Sequence, residues 1–301
     1  MNKYLIFRTD RLGDFLLSCI LIKSIKRNDP YAHITVLASN KNFDYIKTFD
    51  YVDEVVLIKS GFLNRIKTIL HLRKQSYMMT IVHDGKERSK IINFFLKKNK
   101  TYNFDNKLIS ITHFDKILLF LKKINFDFRN DDLDILNTKI EINSKSDLKK
   151  RFLVFHYDEK WSNLNYIQHY KNIEPNLNEL VFFLNNIQKI TNLNVVITTG
   201  FIKPILFNDI TKFLNNDKIN ILLEQNFLEL EKVIMNSKLL ISCHGSVSHV
   251  AAAMNIKQID IIDKSYNYKN WTKHFRNYNY LYRKNFKDLS NDIYKLLNNS
   301  I

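Results

Sequence analysis

Cysteine is almost missing from this 301-residue chain: Cys19 and Cys243 stand far apart, with no second thiol near either. That excludes a disulfide framework and a zinc knuckle, so both thiols are expected to be reduced and buried. Glycine and proline are also scarce, at five and three residues, and no Walker A loop or G-x-G-x-x-G occurs. Nucleotide-driven hydrolysis and a dinucleotide cofactor therefore have little support. The nine histidines do not fall in ligand-spaced pairs with carboxylates, so no metal site is expected. No apolar run approaches the roughly 20 residues that cross a bilayer. The opening MNKYLIFRTDRLGD breaks its apolar run at Arg8, Asp10 and Arg11 and lacks the features of a secretory signal. The expectation is a soluble, cytoplasmic protein.

What is present is a globular composition, 45% apolar and 25% charged, with a net charge of +16. A positive field of that size attracts nucleic acid, anionic membrane surfaces or phosphorylated substrates without choosing among them, and a solvated lysine surface accounts for part of it. The length suits two domains of ordinary size.

Short β-branched runs alternate with segments of helical period, the pattern of βαβ units around a parallel sheet. The first half reads as strands at 3–8, 33–38, 54–58 and 78–83, with helices at 14–26, 42–48, 63–74 and 86–96. A polar stretch over 125–150 breaks the alternation and marks the domain junction. Strands then follow at 151–156, 195–199, 219–223, 239–242 and 258–262, with helices at 177–190, 204–214, 228–236 and 246–254. Phe286, Leu289, Ile293, Leu296 and Leu297 lie at helical spacing, so a final helix is expected. Two successive doubly wound halves are the simplest architecture: 1–135, 150–280 and a C-terminal helix over 281–301.

Ligands of open α/β sheets sit beyond the carboxyl ends of the strands, so the loops there carry the candidates. In R-T-D-R-L-G-D, residues 8–14, Asp14 either caps the first helix or acts as a general base, with Gly13 permitting close approach. In H-D-G-K-E-R-S, residues 83–89, Asp84 and Gly85 suit a turn, while Lys86 and Arg88 suit an anion or a solvated basic face. Lys160, beside Trp161, is either a surface lysine or a point charge for a diphosphate. In L-I-S-C-H-G-S-V-S-H-V-A-A-A-M, residues 240–254, a buried strand runs into a small-residue helix. Gly245, Ser246 and Ser248 offer N–H groups and hydroxyls to a phosphate there, and His249 faces either that anion or the core.

Four segments together resemble glycosyltransferase family nine, the ADP-heptose lipopolysaccharide heptosyltransferases. They are Leu5–Arg8 through Leu12–Asp14, His83–Gly85 with Arg88 and Ser89, Lys160–Trp161, and Phe227–Leu230 leading through Leu240–Ser242 to Ser248–Ala253. They fall in the family's order and span nearly the whole chain.

The resemblance implies a GT-B fold, two Rossmann-like domains facing each other across a cleft. It also implies a metal-independent, inverting transfer of a heptose or related sugar from a nucleotide diphosphate sugar to a lipopolysaccharide-core or other surface-glycan acceptor. Asp14 matches the family's base, Lys160 its phosphate-contacting lysine and His249 the histidine of its late donor motif. His244, Gly245, Ser246 and Ser248 complete the implied donor site, and Arg8, Arg11, Gly13 and Arg88 the acceptor site. No cofactor is expected beyond the nucleotide-sugar co-substrate, ADP-heptose or another. An anionic, lipid-linked acceptor would place the protein peripherally at the inner face of the cytoplasmic membrane. The family usually carries Asp-Thr-Gly where this chain has His244, Gly245 and Ser246, which opens the way to a non-heptose donor. An inactive scaffold is a further alternative, and a nucleic-acid-binding protein another, although most aromatics alternate as core residues do.

Overall fold

The computed structural model describes residues 1–104, 111–136, 151–162, 170–200, 204–214, 217–223 and 225–299. Residues 137–150 of the expected junction thus lie outside the described residues. The chain divides into two compact units, Met1–Asn137 with Lys269–His274, and Thr138–Tyr268 with Phe275–Ile301.

The first unit is a five-stranded parallel sheet of β1 (Lys3–Phe7), β2 (His33–Ala38), β3 (Glu54–Leu57), β4 (Ser76–Val82) and β5 (Lys97–Asn103), ordered β3-β2-β1-β4-β5. Its helices are α1 (Leu12–Asn28), α2 (Phe43–Ile46), α3 (Phe62–Leu72), α4 (Glu87–Phe94) and α5 (His113–Lys123). Helix α1 is apolar on nearly every side from Phe15 to Ile25 and is buried accordingly, with α5 and a 3-10 turn at Asn130–Leu133 lying against it. Ser24 and Arg27 of α1 bind the buried Asp132 of that turn at 2.8 and 2.9 Å. Helices α3 and α4 pack on one cluster of strand residues that includes Leu5, Phe7, Tyr77 and Val82.

Strand β5 and helix α5 have no counterpart in the sequence reading. KKNKTYN hides β5 because an edge strand is paired on one side only and leaves most of its side chains in water, and lysine there discourages association with other chains.

The second unit is a six-stranded parallel sheet of β6 (Phe152–His156), β7 (Asn194–Thr198), β8 (Ile219–Leu222), β9 (Leu239–Cys243), β10 (Lys257–Ile262) and β11 (Tyr278–Tyr282). The order is β11-β10-β9-β6-β7-β8, the Rossmann sequence of strands. Its helices are α6 (Leu177–Thr191), α7 (Phe207–Phe213), α8 (Phe227–Met235), α9 (Ser246–Ala253) and α11 (Phe286–Asn298), while α10 (Lys269–Thr272) belongs to the first unit. Trp271 of α10 lies tilted against His113 with ring centroids 3.9 Å apart, and Lys273 binds Asp115 at 2.6 Å. Strand β11 is also absent from the sequence reading. Cys19 and Cys243 are both buried and outside any disulfide, and burial pushes the Cys243 thiol up to about 12. No described helix is long and apolar enough to cross a membrane.

Candidate functional site

Each sheet reverses strand order at one place, between β1 and β4 in the first unit and between β6 and β9 in the second. Loops leaving two strands that run to opposite sides open a crevice, and ligands of open α/β sheets bind there. The candidates read from the sequence stand on these four loops or in the helices that follow them.

At the first reversal, Arg8 is buried at 3% exposure. Its Nε donates to Ser18 Oγ at 2.6 Å, and one terminal nitrogen reaches Asp10 and the carbonyl of His83 at 3.2 Å. Ser18 Oγ lies 2.9 Å from His83 Nδ1. Asp84 ties the two loops together: Thr9 and Ser89 each donate to Oδ2 at 2.7 Å. Its role in the turn is thereby joined to a second one, bracing the loop after β1. Arg88 donates to Thr9 Oγ1 at 2.8 Å, while its buried Nε has no hydrogen-bond partner among the described residues. Arg11 is exposed at the start of α1, and Gly13 is buried in the first turn. Asp14 is partly exposed and accepts from the Arg11 N–H at 3.2 Å, so the helix-start role is present.

Two basic groups joined to this site escaped the sequence reading. His113 and Lys116, from α5, lie close enough to His83 for their charges to bear on it. Burial holds His83 well below the usual imidazole range, helped by Arg8, His113 and Lys116. Burial likewise lowers His113 to about 4 and His274 to about 3.

These three rings make an acid-sensitive first unit. Folded, they stay neutral; unfolded, they bind protons below their ordinary value of about 6.5. Stability is therefore full above that value and falls as pH drops from 6.5 toward 4. Urea denaturation followed by Trp271 fluorescence in a Trp161→Phe chain should show the loss between pH 7 and 4.5. A flat profile in that window would contradict it.

At the second reversal Lys160 is 8% exposed, which removes the surface-lysine reading. Its Nζ donates to Asp158 Oδ2 at 2.5 Å, and Trp161 beside it is fully buried with its Nε1–H on the His156 carbonyl. Burial would raise the Asp158 carboxyl, but Lys160 and then His156 hold it well below the usual carboxylate range. Arg283 fastens the loop by donating to the Lys160 carbonyl at 2.6 Å.

The loop after β9 closes against that lysine. A Cβ on Gly245 would stand 2.6 Å from Lys160 Nζ, and the backbone there is extended, so a larger residue would have to push the Lys160 ammonium aside. An ammonium thus sits at the N-terminus of α9, where the N–H groups of Ser246 and Val247 have no intrahelical acceptor. Like signs face each other, which favours an anion between them.

Ser248 is fully buried, donates to Asp260 Oδ1 at 2.6 Å and accepts from the Gly245 N–H at 3.2 Å, so it shapes the loop. His244 places Nδ1 2.6 Å from Asp260 Oδ2, which sets the other ring nitrogen apart for another partner. His249 is buried, its ring 5.7 Å from His244 and 5.2 Å from Phe275. Asp158 and Asp260 were not singled out from sequence. An aspartate inside the apolar run QIDII was the available signal for Asp260, because a carboxylate is buried only with partners.

Solved structures share this architecture from end to end. E. coli heptosyltransferase WaaC with ADP superposes with a TM-score of 0.73 at 11% identity, covering 99% of this chain and 100% of that one. E. coli ADP-heptose lps heptosyltransferase II gives 0.65 at 15% identity, with 99% and 98% covered. The UDP-GlcNAc 2-epimerase from Methanocaldococcus jannaschii gives 0.60 at 13%, with 100% and 93% covered. The fold is GT-B. No family model and no curated protein matches the chain by sequence. Such identities carry a shared GT-B fold, and what those proteins bind stays theirs. The Phe227–Leu230 segment gains a structural account within GT-B: Asn226 and Glu229 form a reciprocal capping box at the start of α8, with bonds of 3.0 Å each way.

Proposed function

We propose that this chain is a glycosyltransferase that moves a sugar from a nucleotide diphosphate sugar to a hydroxyl of a glycan acceptor. The observation that carries the reading is the buried Lys160 ammonium pressed against the N-terminus of α9, at the strand reversal of a Rossmann sheet. Two positive features in one crevice suit a diphosphate. The ADP named with the similar heptosyltransferase is a ligand of that class.

In the proposed reaction the acceptor oxygen attacks the anomeric carbon as the bond to the diphosphate oxygen breaks, inverting that centre. The acceptor proton goes to Asp14, and the bonding pair leaves on the diphosphate, where Lys160 and the α9 N–H groups stabilise it. The transfer is metal-independent, the lysine and the helix terminus supplying the positive charge. His249 and His244, the latter held by Asp260, with Gly245 and Ser246, complete the donor site. Arg8, Arg11, Gly13 and Arg88 are assigned to an anionic, lipid-linked acceptor of lipopolysaccharide-core or related type, at the inner surface of the cytoplasmic membrane. His244, where the family usually has aspartate, favours a donor other than ADP-heptose.

Thermal unfolding across nucleoside diphosphates and nucleotide sugars tests the reading. One nucleotide should stabilise the chain, by about 2.7 kcal/mol at a hundredfold excess over its Kd. Gly245→Ala should bind it at least about tenfold more weakly, because the new methyl displaces Lys160. Turnover should persist in EDTA. A panel in which no nucleotide shifts the transition removes the proposal.

A further inference from the structure

Helix α3 is apolar on the side it turns to water. Phe62, Leu63 and Leu70 are 75%, 72% and 57% exposed, with Ile66 beside them. At 3.6 residues per turn these four fall within an arc of about 100°. The helix is held from behind, since Ile69 and Leu72 pack on the sheet. Most helices of a doubly wound domain present polar side chains here, and a solvent-facing apolar stripe on a monomer marks an interaction surface.

The charges around the stripe have one sign. Residues 59–74 carry Lys59, Arg65, Lys67, Arg73 and Lys74 and no aspartate or glutamate. All five are exposed. Arg65 flanks the stripe on one side and Lys67 on the other. Helix α4, on the same sheet face, adds Phe94 at 75% exposure and Ile91 at 59%.

We infer that α3 is a membrane-surface helix: it lays Phe62, Leu63, Ile66 and Leu70 into the interface of an anionic phospholipid bilayer while its basic flanks meet the headgroups. An apolar stripe between two basic edges is the pattern of helices that lie in that interface. The lysines and arginines draw the helix to anionic lipid, and the inserted side chains hold it there. Nucleic acid would want stacking aromatics, whereas three of the four stripe residues are aliphatic. The inference rests on the glycosyltransferase reading for its purpose, bringing the enzyme to a lipid-linked acceptor, and on α3 alone for its geometry.

The test is co-sedimentation of the full chain with vesicles of phosphatidylglycerol and phosphatidylethanolamine, or of phosphatidylcholine alone. Wild type should sediment with the anionic vesicles only, and less as salt rises. Arg65→Ala with Lys67→Ala should lower partition about 25-fold, at roughly fivefold per basic residue. Phe62→Ser with Leu63→Ser should lower it at least about tenfold. All four positions are exposed, and an unchanged circular dichroism spectrum confirms folding. Failure of wild type to bind anionic vesicles overturns the inference, as does undiminished binding by both variants or complete displacement by RNA. Nucleotide stabilisation, measured on the same samples, reports the glycosyltransferase reading separately and should be the same in all three proteins.

Discussion

Lys160→Met should weaken nucleotide binding and destabilise the second unit together, and adding Asp158→Asn should restore the stability alone. The reason is the double duty of one ammonium. Lys160 Nζ is the cation of the Asp158 carboxylate, at 2.5 Å, with both side chains buried. Removing one partner of a buried pair leaves the other charge uncompensated, at a cost of about 3–5 kcal/mol. Urea denaturation followed by Trp161 fluorescence reads that loss. The asparagine of the double variant removes the stranded charge, so most of the stability returns. Binding should stay weak in both variants, because a charge-assisted bond to phosphate is worth about 1.5–3 kcal/mol, roughly 10- to 150-fold in Kd. A double variant that binds nucleotide like wild type would give Lys160 a purely structural part.

Asp14→Asn should slow transfer by about 10²–10⁴-fold, the range for removing a general base, while changing stability by less than about 1 kcal/mol. The split between rate and stability is what separates the two readings of this residue. As a helix-start residue, Asp14 accepts one bond, from the Arg11 N–H at 3.2 Å. An asparagine oxygen keeps that bond and loses the basicity. Single-turnover transfer with a radiolabelled donor, alongside thermal unfolding, makes the comparison. An unchanged rate would leave Asp14 with the helix alone.

The most legible parts of the fold were apolar strands and amphipathic helices. Strands β1, β2, β6, β9 and β10 are runs of Leu, Ile, Val and Phe bounded by polar loops, and helices α6, α8 and α11 show an apolar stripe. Of the four edge strands, β3 (EVVL) and β8 (INIL) were legible from their apolar runs, whereas β5 and β11 were not, because pairing supplies what their sequences lack. The KKNKTYN of β5 is held by the β4 register from Ser76↔Lys97 to Val82↔Asn103. The YNYLY of β11 is held in the same way by β10. Neither pattern carries the apolar signal of a strand covered on both faces.

Of the candidate site, the sequence by itself determined which segments the candidates occupy: Arg8, Asp14, Arg88, Lys160, Gly245 and His249 follow the four strands that flank the two reversals. Tertiary structure alone decided how charge is arranged there. His113, Lys116 and Asp260 acquire meaning only when α5 and β10 bring them against His83 and His244, whereas Asp158 pairs locally with Lys160 two residues on. The physical reason is that loop position follows from strand alternation, a local pattern. Burial of a charged group, and pairings such as that of His244 with Asp260, 16 positions on, depend instead on how separate elements pack.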